Sequence, residues 1–286
     1  MIRIVYLNGE FLPEDEARIP IMDRGLLFAD AIYEGMGVLD GGIVDVRKHM
    51  ARLRRSLAEV GIPEPHTEEE FLGILMELVR RNDVDEGFLY LHVTRGVAER
   101  SYVPVAGLTP TVFGFTQPLH GAPADVEPTG LTMSSQPDLR WVRRDVKTTN
   151  LLGQVLANWG ASEAGADEAL LVAPDGTVTE GGAVSFFPVV DGALLVRPLS
   201  NDILPGVTRS TLLEVLDAEG IPIDERTYTL DEALAADEAM ITGASSYVEP
   251  VLAIDGHPIG DGTSGALTLR LRAAYLALVR SRLRPA

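Results

Sequence analysis

Lys147 is the residue best suited to covalent chemistry. It lies in the segment DLRWVRRDVKTTN, at the end of a predicted strand and just before an apolar helical pattern. It is the only lysine between Lys48 and the C-terminus, and the other cations are nearly all arginines. Arginine cannot replace a lysine that must lose its proton to form a Schiff base, because its pKa stays too high. Taken alone, however, the segment fits a solvated lysine at a helix start somewhat better.

A second candidate is Glu180, in the segment TVTEGG, which follows a predicted strand and precedes two glycines. A carboxylate placed against a pyridine nitrogen keeps that ring protonated, and the protonated ring accepts electrons. Taken alone, this segment fits a surface glutamate in a turn better than a cofactor contact.

The segment ILPGVTR predicts an anion site. Its Pro-Gly turn opens a helix whose first residues are Val207 and Thr208, and free N–H groups and the helix dipole favour an anion there. The alternative is ordinary capping by Thr208. The small-residue turn TGASS, 242–246, could add further N–H groups but is otherwise only a loop.

Arg100 is a candidate for binding a carboxylate, since a guanidinium can donate two parallel hydrogen bonds. It follows a predicted strand over Tyr90–Thr94 and precedes Tyr102 on a loop. A solvated loop cation is the ordinary alternative for any single arginine.

The elements that must position these residues are short strands and amphipathic helices. Turn dipeptides predict antiparallel hairpins; they lie at 8–9, 40–41, 175–176, 191–192 and 255–256. Apolar spacing predicts helices; these run over 47–60, 68–81, 151–164, 208–219 and 264–283. Strands and helices mix without regular βαβ alternation, which indicates an α+β protein.

The segment TQPLHGAPADVEP predicts a linker between two domains, although a long surface loop explains it equally well. With the linker over 118–127, a small N-terminal domain covers 1–117. A larger C-terminal domain, which includes Lys147, covers 128–286.

Composition excludes several classes of protein and site. A formal net charge of −18 argues against nucleic acid and anionic membranes as partners. The absence of cysteine excludes disulfides and thiolate chemistry. The five histidines show no metal-ligand spacing, so no metal site is predicted. No signal peptide or membrane span is expected, which favours a cytoplasmic protein.

In their order and spacing, these segments resemble the fold-type IV pyridoxal-phosphate enzymes, and specifically the D-amino-acid aminotransferases. The resemblance covers nearly the whole chain. It rests on YLNGEFLP, DRGLLFADAIYE, HMARL, YLHVTRG, RWVRRDVKTTNLLGQVLA, TVTEGG, ILPGVTR and ITGASS. It implies a two-domain fold with the active site between the domains, pyridoxal 5'-phosphate as cofactor, and a homodimer in which the Arg100 loop reaches the partner's site.

The resemblance also implies roles for single residues. Lys147 would carry the cofactor as a Schiff base and shuttle the proton, and Glu180 would bind the pyridine nitrogen. The phosphate contacts would come from Arg52, Gly206, Val207, Thr208, Gly243 and Ala244. Leu204 would pack on the ring, and Tyr33, Arg100 and Tyr102 would bind the substrate carboxylate.

The chain departs from the family pattern at Tyr102, where the D-amino-acid enzymes have histidine. It departs again in the loop GGAVS after Glu180 and at Gly243-Ala244, where relatives carry more hydroxyl residues. These changes bear on the substrate more than on the cofactor, and they could relax selectivity toward (R)-amines that lack a carboxylate.

The implied reaction moves the amino group of a D-amino acid such as D-alanine to a 2-oxo acid such as 2-oxoglutarate or pyruvate. Two family alternatives stay open. The first is a branched-chain L-amino-acid aminotransferase, and the second is aminodeoxychorismate lyase, whose Arg-Gly-Tyr is similar to Arg100-Ser-Tyr102. A non-catalytic protein that binds a metabolite would require Lys147 to be structural.

Overall fold

The computed structural model describes residues 2–119 and 121–283. Contacts group the chain into two compact units. The first comprises Met1–Leu119, Val146–Asn150 and Leu283–Ala286, and the second comprises His120–Asp145 and Leu151–Arg282. The short segment that carries Lys147 therefore belongs to the first unit. The domain limits expected at 117 and 128 stay a prediction, and His120 of the expected linker lies outside the described residues.

The first unit contains a six-stranded antiparallel sheet in the order β2-β1-β6-β5-β3-β4. Its strands are β1 (Ile4–Leu7), β2 (Glu10–Pro13), β3 (Ala31–Leu39), β4 (Gly42–Ile43), β5 (Gly87–Thr94) and β6 (Val112–Gln117). Burial alternates along β5, with Leu89, Leu91 and Val93 on the fully buried face. Side chains at alternate positions point to opposite faces, so Tyr90 and His92 lie on the other face.

Three helices accompany this sheet: α1 (Arg24–Phe28), α2 (Val46–Val60) and α3 (Glu68–Arg81). Thr67 and Glu70 form a capping box at the start of α3, which satisfies two backbone donors at its first turn. The apolar side of α3, including Phe71 and Leu75, is buried. Helix α2 contacts β3, and this contact places the side chains of the two elements near each other.

The second unit contains a nine-stranded mixed sheet in the order β12-β11-β10-β13-β14-β7-β8-β9, with β15 paired to β14. Its strands are β7 (Leu131–Pro137), β8 (Glu168–Val172), β9 (Val178–Gly181), β10 (Ser185–Val190), β11 (Ala193–Val196), β12 (Ile223–Glu225), β13 (Glu238–Gly243), β14 (Tyr247–Ile254) and β15 (His257–Pro258). The pairs β7–β8, β7–β14 and β11–β12 are parallel, and the other pairs are antiparallel.

The helices of the second unit are α4 (Leu152–Glu163), α5 (Val207–Glu219), α6 (Leu230–Leu234) and α7 (Ala266–Leu283). Helix α4 connects the parallel strands β7 and β8 and packs on both. A buried apolar cluster that includes Met133, Leu170, Phe186, Tyr228 and Ile241 lies beneath the sheet strands and α6. Strands β9, β10 and β13 contribute Val178, Phe186 and Ile241 to this core, and α5 packs against β13.

The hairpins expected at all five turn dipeptides are present, joining β1–β2, β3–β4, β8–β9, β10–β11 and β14–β15. All five expected helices are also present, with ends shifted by at most two residues. The strand expected before Lys147 is wrong. That segment is irregular apart from a single bridge between Ile32 and Thr148, because its backbone joins the edge of β3 only at this point.

Candidate active site

Lys147 is fixed through its backbone to the start of β3. The Tyr33 N–H donates to the Lys147 carbonyl at 3.1 Å, and the Thr149 N–H donates to the Ala31 carbonyl at 3.2 Å. The Lys147 Nζ lies 4.3 Å from the centroid of the Tyr33 ring. That ring stacks in turn on Tyr90, with 5.4 Å between centroids. The first unit therefore brings the two predicted residues Lys147 and Tyr33 together.

Arg52 is buried beside the carboxylate of Glu34. Its Nε donates to Oε1 at 2.9 Å and its Nη2 donates to Oε2 at 2.7 Å. The Nδ1 of His49 lies 2.7 Å from Glu34 Oε2, a distance at which Nδ1–H donates to the carboxylate. The triad of Glu34, Arg52 and His49 thus holds the predicted phosphate ligand through paired charges and hydrogen bonds.

The charges of the triad shift its pKa values. Burial raises the pKa of Glu34, but the positive charge and hydrogen bonds of Arg52, with help from His49, outweigh burial and hold this pKa at about 2. Burial lowers the pKa of His49, and the neighbouring Glu34 only partly opposes this. The carboxylate is therefore ionised and the imidazole favours its neutral form. Sequence analysis missed Glu34 and His49, whose signal was a carboxylate directly after Tyr33 and a histidine three residues before Arg52.

Arg100 and Tyr102 lie on an irregular, exposed loop of the first unit. The Arg100 guanidinium lies 5.3 Å from the ring centroid of Phe28 and 5.4 Å from that of Tyr102. Tyr102 is 80% exposed even though its ring contacts Phe28. Within the loop, the two predicted carboxylate-binding residues therefore lie side by side.

Glu180 lies in β9 of the second unit, inside the strand rather than after it. It is buried and accepts a very short hydrogen bond from Arg140 Nη1. The backbone N–H of Leu204 also donates to it, at 3.1 Å to Oε1 and 3.3 Å to Oε2. The predicted residues Glu180 and Leu204 therefore lie together, joined by the backbone N–H of Leu204.

Arg140 is shared between two buried carboxylates. Besides Glu180, it contacts Asp138, with Nε donating to Oδ1 at 2.9 Å and Nη2 donating to Oδ2 at 2.8 Å. Burial disfavours charge on both partners, but the ion pair prevails, raising the pKa of Arg140 and lowering that of Asp138. Thr179 adds a hydrogen bond to Asp138 at 2.8 Å. Sequence analysis missed this group, because nothing in the segment DLR distinguishes it from surface charge.

The start of α5 has the backbone features expected of an anion site. Gly206 is the N-cap and supplies no side-chain capping bond, while Val207 and Thr208 are buried in the first turn. A Cβ added to Gly206 would lie 2.9 Å from Ser185 Oγ. A larger residue at this N-cap would therefore crowd the space beside the first turn. Thr208 is the second helical residue, so it does not act as the N-cap.

Gly243 and Ala244 lie at the turn between β13 and β14, and Thr242 pairs in register with Ser185 of β10. A Cβ added to Gly243 would lie 2.7 Å from Ser246 Oγ. The hydroxyls of Thr242 and Ser246 are both buried, and neither has a hydrogen-bond partner among the described residues. Buried hydroxyls are rarely left unpaired, so this turn has donors available for a ligand.

Tyr247, directly after this turn, has a left-handed backbone with φ of 56°, which is unfavourable for a bulky residue. The neighbouring Arg272 stabilises it, since Arg272 Nη1 donates to the carbonyls of Ser246 at 3.1 Å and Val248 at 2.9 Å. Strain of this kind is kept where the surrounding contacts fix one conformation. The turn that carries the two buried hydroxyls is therefore held in one conformation.

The residues present fit pyridoxal phosphate. The hydroxyls at 242 and 246, which have no partner within 2–119 and 121–283, and the helix start at Gly206, which has no side-chain cap, suit a phosphate because both offer donors to an anion. The buried, charge-paired carboxylate of Glu180 suits a ring nitrogen that must stay protonated. In the first unit, the amine of Lys147 suits a covalent link to the cofactor and the guanidinium of Arg52 suits its phosphate. The ring of Tyr33 lies beside that amine.

The described residues contain neither a membrane-spanning helix nor a metal-binding cluster. In 2–119 and 121–283, no helix is long and apolar enough to cross a membrane. Over the same ranges, no cluster of three or more His, Cys, Asp or Glu side chains is arranged to hold a metal ion.

Comparison with known proteins places these features in a family. Residues 31–254 match the sequence model of amino-transferase class IV. The chain is 36% identical to the D-alanine aminotransferase of Staphylococcus haemolyticus over 97% of this chain and 98% of that protein. It is 38% identical to the D-alanine aminotransferase of Bacillus licheniformis, over 94% of this chain and 95% of that protein.

Solved structures agree on the fold. A branched-chain amino acid aminotransferase from T.th., solved with pyridoxamine 5'-phosphate, superposes with a TM-score of 0.91 at 28% identity, covering 100% of this chain and 96% of that one. The branched-chain amino acid aminotransferase of Escherichia coli gives 0.91 at 23% identity, over 99% and 97% of the two chains, which is evidence for the fold alone. The expected two-domain α+β fold of type IV is confirmed. The chain belongs to the class IV aminotransferases, and it is an aminotransferase that depends on pyridoxal phosphate.

Proposed function

We propose that this enzyme transfers the amino group of D-amino acids, with D-alanine as the type substrate, to a 2-oxo acid such as 2-oxoglutarate or pyruvate. The observation that carries the proposal is the identity of 36% to a D-alanine aminotransferase over 97% of the chain. The identity of 38% to a second such enzyme supports it. (R)-Amines are a second donor class in the proposal, because Tyr102 replaces the family's histidine.

A branched-chain L-amino-acid aminotransferase is the second candidate. It is supported by the solved structure from T.th., which carries that name at a TM-score of 0.91. Its identity of 28% is lower than the 36% and 38% of the two D-alanine enzymes. Sequence likeness is the better guide to the substrate here, because one fold supports several specificities.

Six groups would hold the cofactor in this proposal. Lys147 would form the covalent link, Glu180 would receive the ring N–H, and Leu204 would pack on the ring. Arg52 and the backbone of the α5 start and of the 243–244 turn would bind the phosphate. Arg140, itself held by Asp138, would orient the Glu180 carboxylate toward the ring by donating a hydrogen bond to it.

Bound pyridoxal phosphate supplies the electron sink that stabilises the charge left when the substrate Cα loses its proton. Lys147 Nζ would accept this proton and would serve as both base and acid for proton transfer on one face of the substrate. The Tyr33 ring 4.3 Å away limits where Nζ can move. A single base on one side of the substrate sets the stereochemistry.

Tyr33, Arg100 and Tyr102 would bind the substrate carboxylate, with Arg100 donating in parallel to both oxygens. Arg100 is exposed and has aromatic rings beneath it, so its outer face is available for an anion. The two tyrosines would orient the carboxylate rather than neutralise it.

The proposal includes a homodimer in which the Arg100 loop reaches the partner's site and is covered there by the partner copy. The loop exposes apolar side chains that water solvates poorly: Tyr102 is 80% exposed, Val103 76% and Val105 62%. A cluster of this kind is typical of a surface that is covered in the assembled protein. Sedimentation of the purified enzyme tests it, and a monomer at micromolar concentration would contradict the proposal.

The deciding experiment is a half-reaction panel on the cofactor-loaded enzyme. D-alanine, L-leucine and (R)-1-phenylethylamine are each added in the absence of a 2-oxo acid, and the visible absorbance band of the bound cofactor is followed. We expect D-alanine to convert the band fastest. Conversion by L-leucine alone would overturn the proposal in favour of the branched-chain enzyme.

A further inference from the structure

Arg24 is a buried arginine at the start of α1, and none of the roles proposed above involves it. Only 4% of its surface is exposed. Its Nε donates to Asp30 Oδ2 at 2.8 Å. The other two nitrogens reach the backbone of the Arg100 loop: Nη1 donates to the Ser101 carbonyl at 2.5 Å, and Nη2 donates to the Tyr102 carbonyl at 3.4 Å. One guanidinium thus connects the partly buried carboxylate of Asp30 to two successive peptide units of an exposed loop.

The aromatic ring of Phe28 strengthens this connection. The Arg24 guanidinium lies 4.9 Å from its centroid, and the Arg100 guanidinium lies 5.3 Å from the same centroid. The ring of Tyr102 is 5.6 Å away. Cations are attracted to the face of an aromatic ring, so Phe28 attracts both arginines. The side chains of the loop are therefore ordered against the same residue that Arg24 contacts.

The base from which Arg24 extends is rigid. Asp23 caps α1 by accepting from the Gly25 N–H at 2.8 Å. Its other oxygen accepts from the hydroxyls of Thr94 at 3.0 Å and Thr111 at 2.7 Å. A Cβ on Gly25 would lie 2.5 Å from Thr94 Cγ2, so the helix start packs closely on β5. The segment Asp23–Gly25 is therefore anchored to the strand that leads into the Arg100 loop.

We propose that Arg24 is a positioning residue that fixes the backbone of the loop Arg100–Tyr102, so that Arg100 and Tyr102 present their side chains to the substrate carboxylate. The proposal rests on the function proposed above for these two residues. The loop has no helix or strand of its own to order it. Without Arg24, the loop would sample many conformations, and ordering it on substrate binding would cost conformational entropy.

The first test measures loop order without any substrate. Arg100 is exposed in the protomer, and trypsin cleavage after it requires the loop to leave both the Arg24 hydrogen bond at Ser101 and the partner contact proposed above, which is the same in every variant compared. In the Arg24→Lys holoenzyme we expect the rate of cleavage at this bond to rise by about tenfold, since one ammonium nitrogen cannot reach all the acceptors that three separate nitrogens of Arg24 contact. An unchanged rate would overturn the proposal.

Arg95→Lys is the matched control. Arg95 also binds Asp30, with Nε 2.7 Å from Oδ2, but its other nitrogens donate to the carbonyls of Val60 and Gly61 rather than to the loop. This variant should leave cleavage after Arg100 within twofold of the wild type. Equal acceleration in both variants would mean that the loop responds to loss of the Asp30 pair in general, and would overturn the proposal.

The second test is kinetic and separates the positioning role from a structural one. In Arg24→Lys, kcat/KM for D-alanine should fall about tenfold, mainly through KM. The value for (R)-1-phenylethylamine, which has no carboxylate, should change less than twofold, and the cofactor absorbance should be unchanged. An equal loss for both donors would contradict positioning of the carboxylate site.

Arg100→Ala distinguishes failure of this inference from failure of the function on which it rests. If this variant loses D-alanine and (R)-1-phenylethylamine activity equally, Arg100 does not bind the carboxylate and that part of the proposed function falls. The trypsin comparison of Arg24→Lys with Arg95→Lys still decides whether Arg24 orders the loop. If Arg100→Ala loses activity mainly toward D-alanine, while Arg24→Lys changes neither trypsin cleavage nor kcat/KM, only the role of Arg24 is wrong.

Discussion

The Nζ of Lys147 lies 4.3 Å from the ring centroid of Tyr33, and the Tyr33 N–H donates to the Lys147 carbonyl. The two residues are far apart in sequence but are joined through both side chain and backbone. Any displacement of the start of β3 would therefore move the proposed cofactor lysine and a proposed substrate contact together. Because one strand positions both groups, the geometry between them is preserved.

Replacing Lys147 by alanine should abolish the visible absorbance band of the bound cofactor and lower activity by about a thousandfold or more, because no other group can form the covalent link. Lys48→Ala is the control, since Lys48 is the other lysine of the chain. Borohydride reduction followed by peptide mass spectrometry should place the cofactor on Lys147 in that control. A cofactor recovered on Lys48 of the wild type, or turnover retained by Lys147→Ala, would contradict the assignment.

Glu34→Gln should destabilise the cofactor-free protein by about 3–5 kcal/mol, because it removes one partner of a buried ion pair and leaves the charge of Arg52 poorly compensated. Urea unfolding measures the change. Glu77→Gln serves as control, since Glu77 pairs with Arg80 on the surface of α3, and its unfolding midpoint should match that of the wild type. Equal midpoints for all three proteins would show that the triad does not contribute to stability.

His92 should make the protein less stable in mild acid. Burial lowers its pKa to about 4, below the ordinary value of 6.5, although nearby Asp23 raises it somewhat. Between these values the unfolded chain binds the proton and the folded chain does not. Stability is therefore complete above pH 6.5 and falls as the pH drops toward 4, by up to about 1.4 kcal/mol per pH unit.

His92→Phe tests this dependence, because phenylalanine keeps the stacking on Phe113, whose centroid lies 4.4 Å away. Its unfolding free energy, measured from pH 7 to pH 4, should fall less steeply than that of the wild type. Parallel curves would show that other groups, such as His49, account for the loss.

Ser246→Ala should separate cofactor affinity from stability. The hydroxyl is buried and has no hydrogen-bond partner among the described residues, so its removal should leave the cofactor-free protein as stable as before or slightly more so. If it serves the phosphate, the Kd for pyridoxal phosphate should rise about tenfold. Fluorescence titration gives the affinity, and an unchanged Kd would remove Ser246 from the phosphate site.

Local patterns predicted the elements well. The hairpin at Asn8-Gly9 and the capped helix from Glu68 to Arg81 depend on short-range chemistry, namely positive φ angles and capping bonds, so their residues specify them directly. The start of α5 after Gly206 is another case, because a Pro-Gly turn sets its first residue.

Long-range pairing was not predictable in the same way. Nothing near Arg140 reveals that it binds Glu180, forty positions away, because a charged residue in an irregular segment reads as surface. Arg24 reaches Ser101 across 77 positions for the same reason. The prediction of a strand before Lys147 was wrong. An alternating sequence pattern does not show whether a neighbouring strand is available to form the hydrogen bonds of a sheet.

The segment Val146–Asn150 has a consequence for protein engineering. It belongs to the first unit although it is distant in sequence from the rest of that unit. A chimera that exchanged residues 1–119 between relatives would combine the β3 of one parent with the Lys147 peptide of the other. The contact between the two parents' segments at the Ile32–Thr148 bridge would then determine where the Lys147 side chain points. Active chimeras should therefore take residues 1–119 and the segment Val146–Asn150 from the same parent.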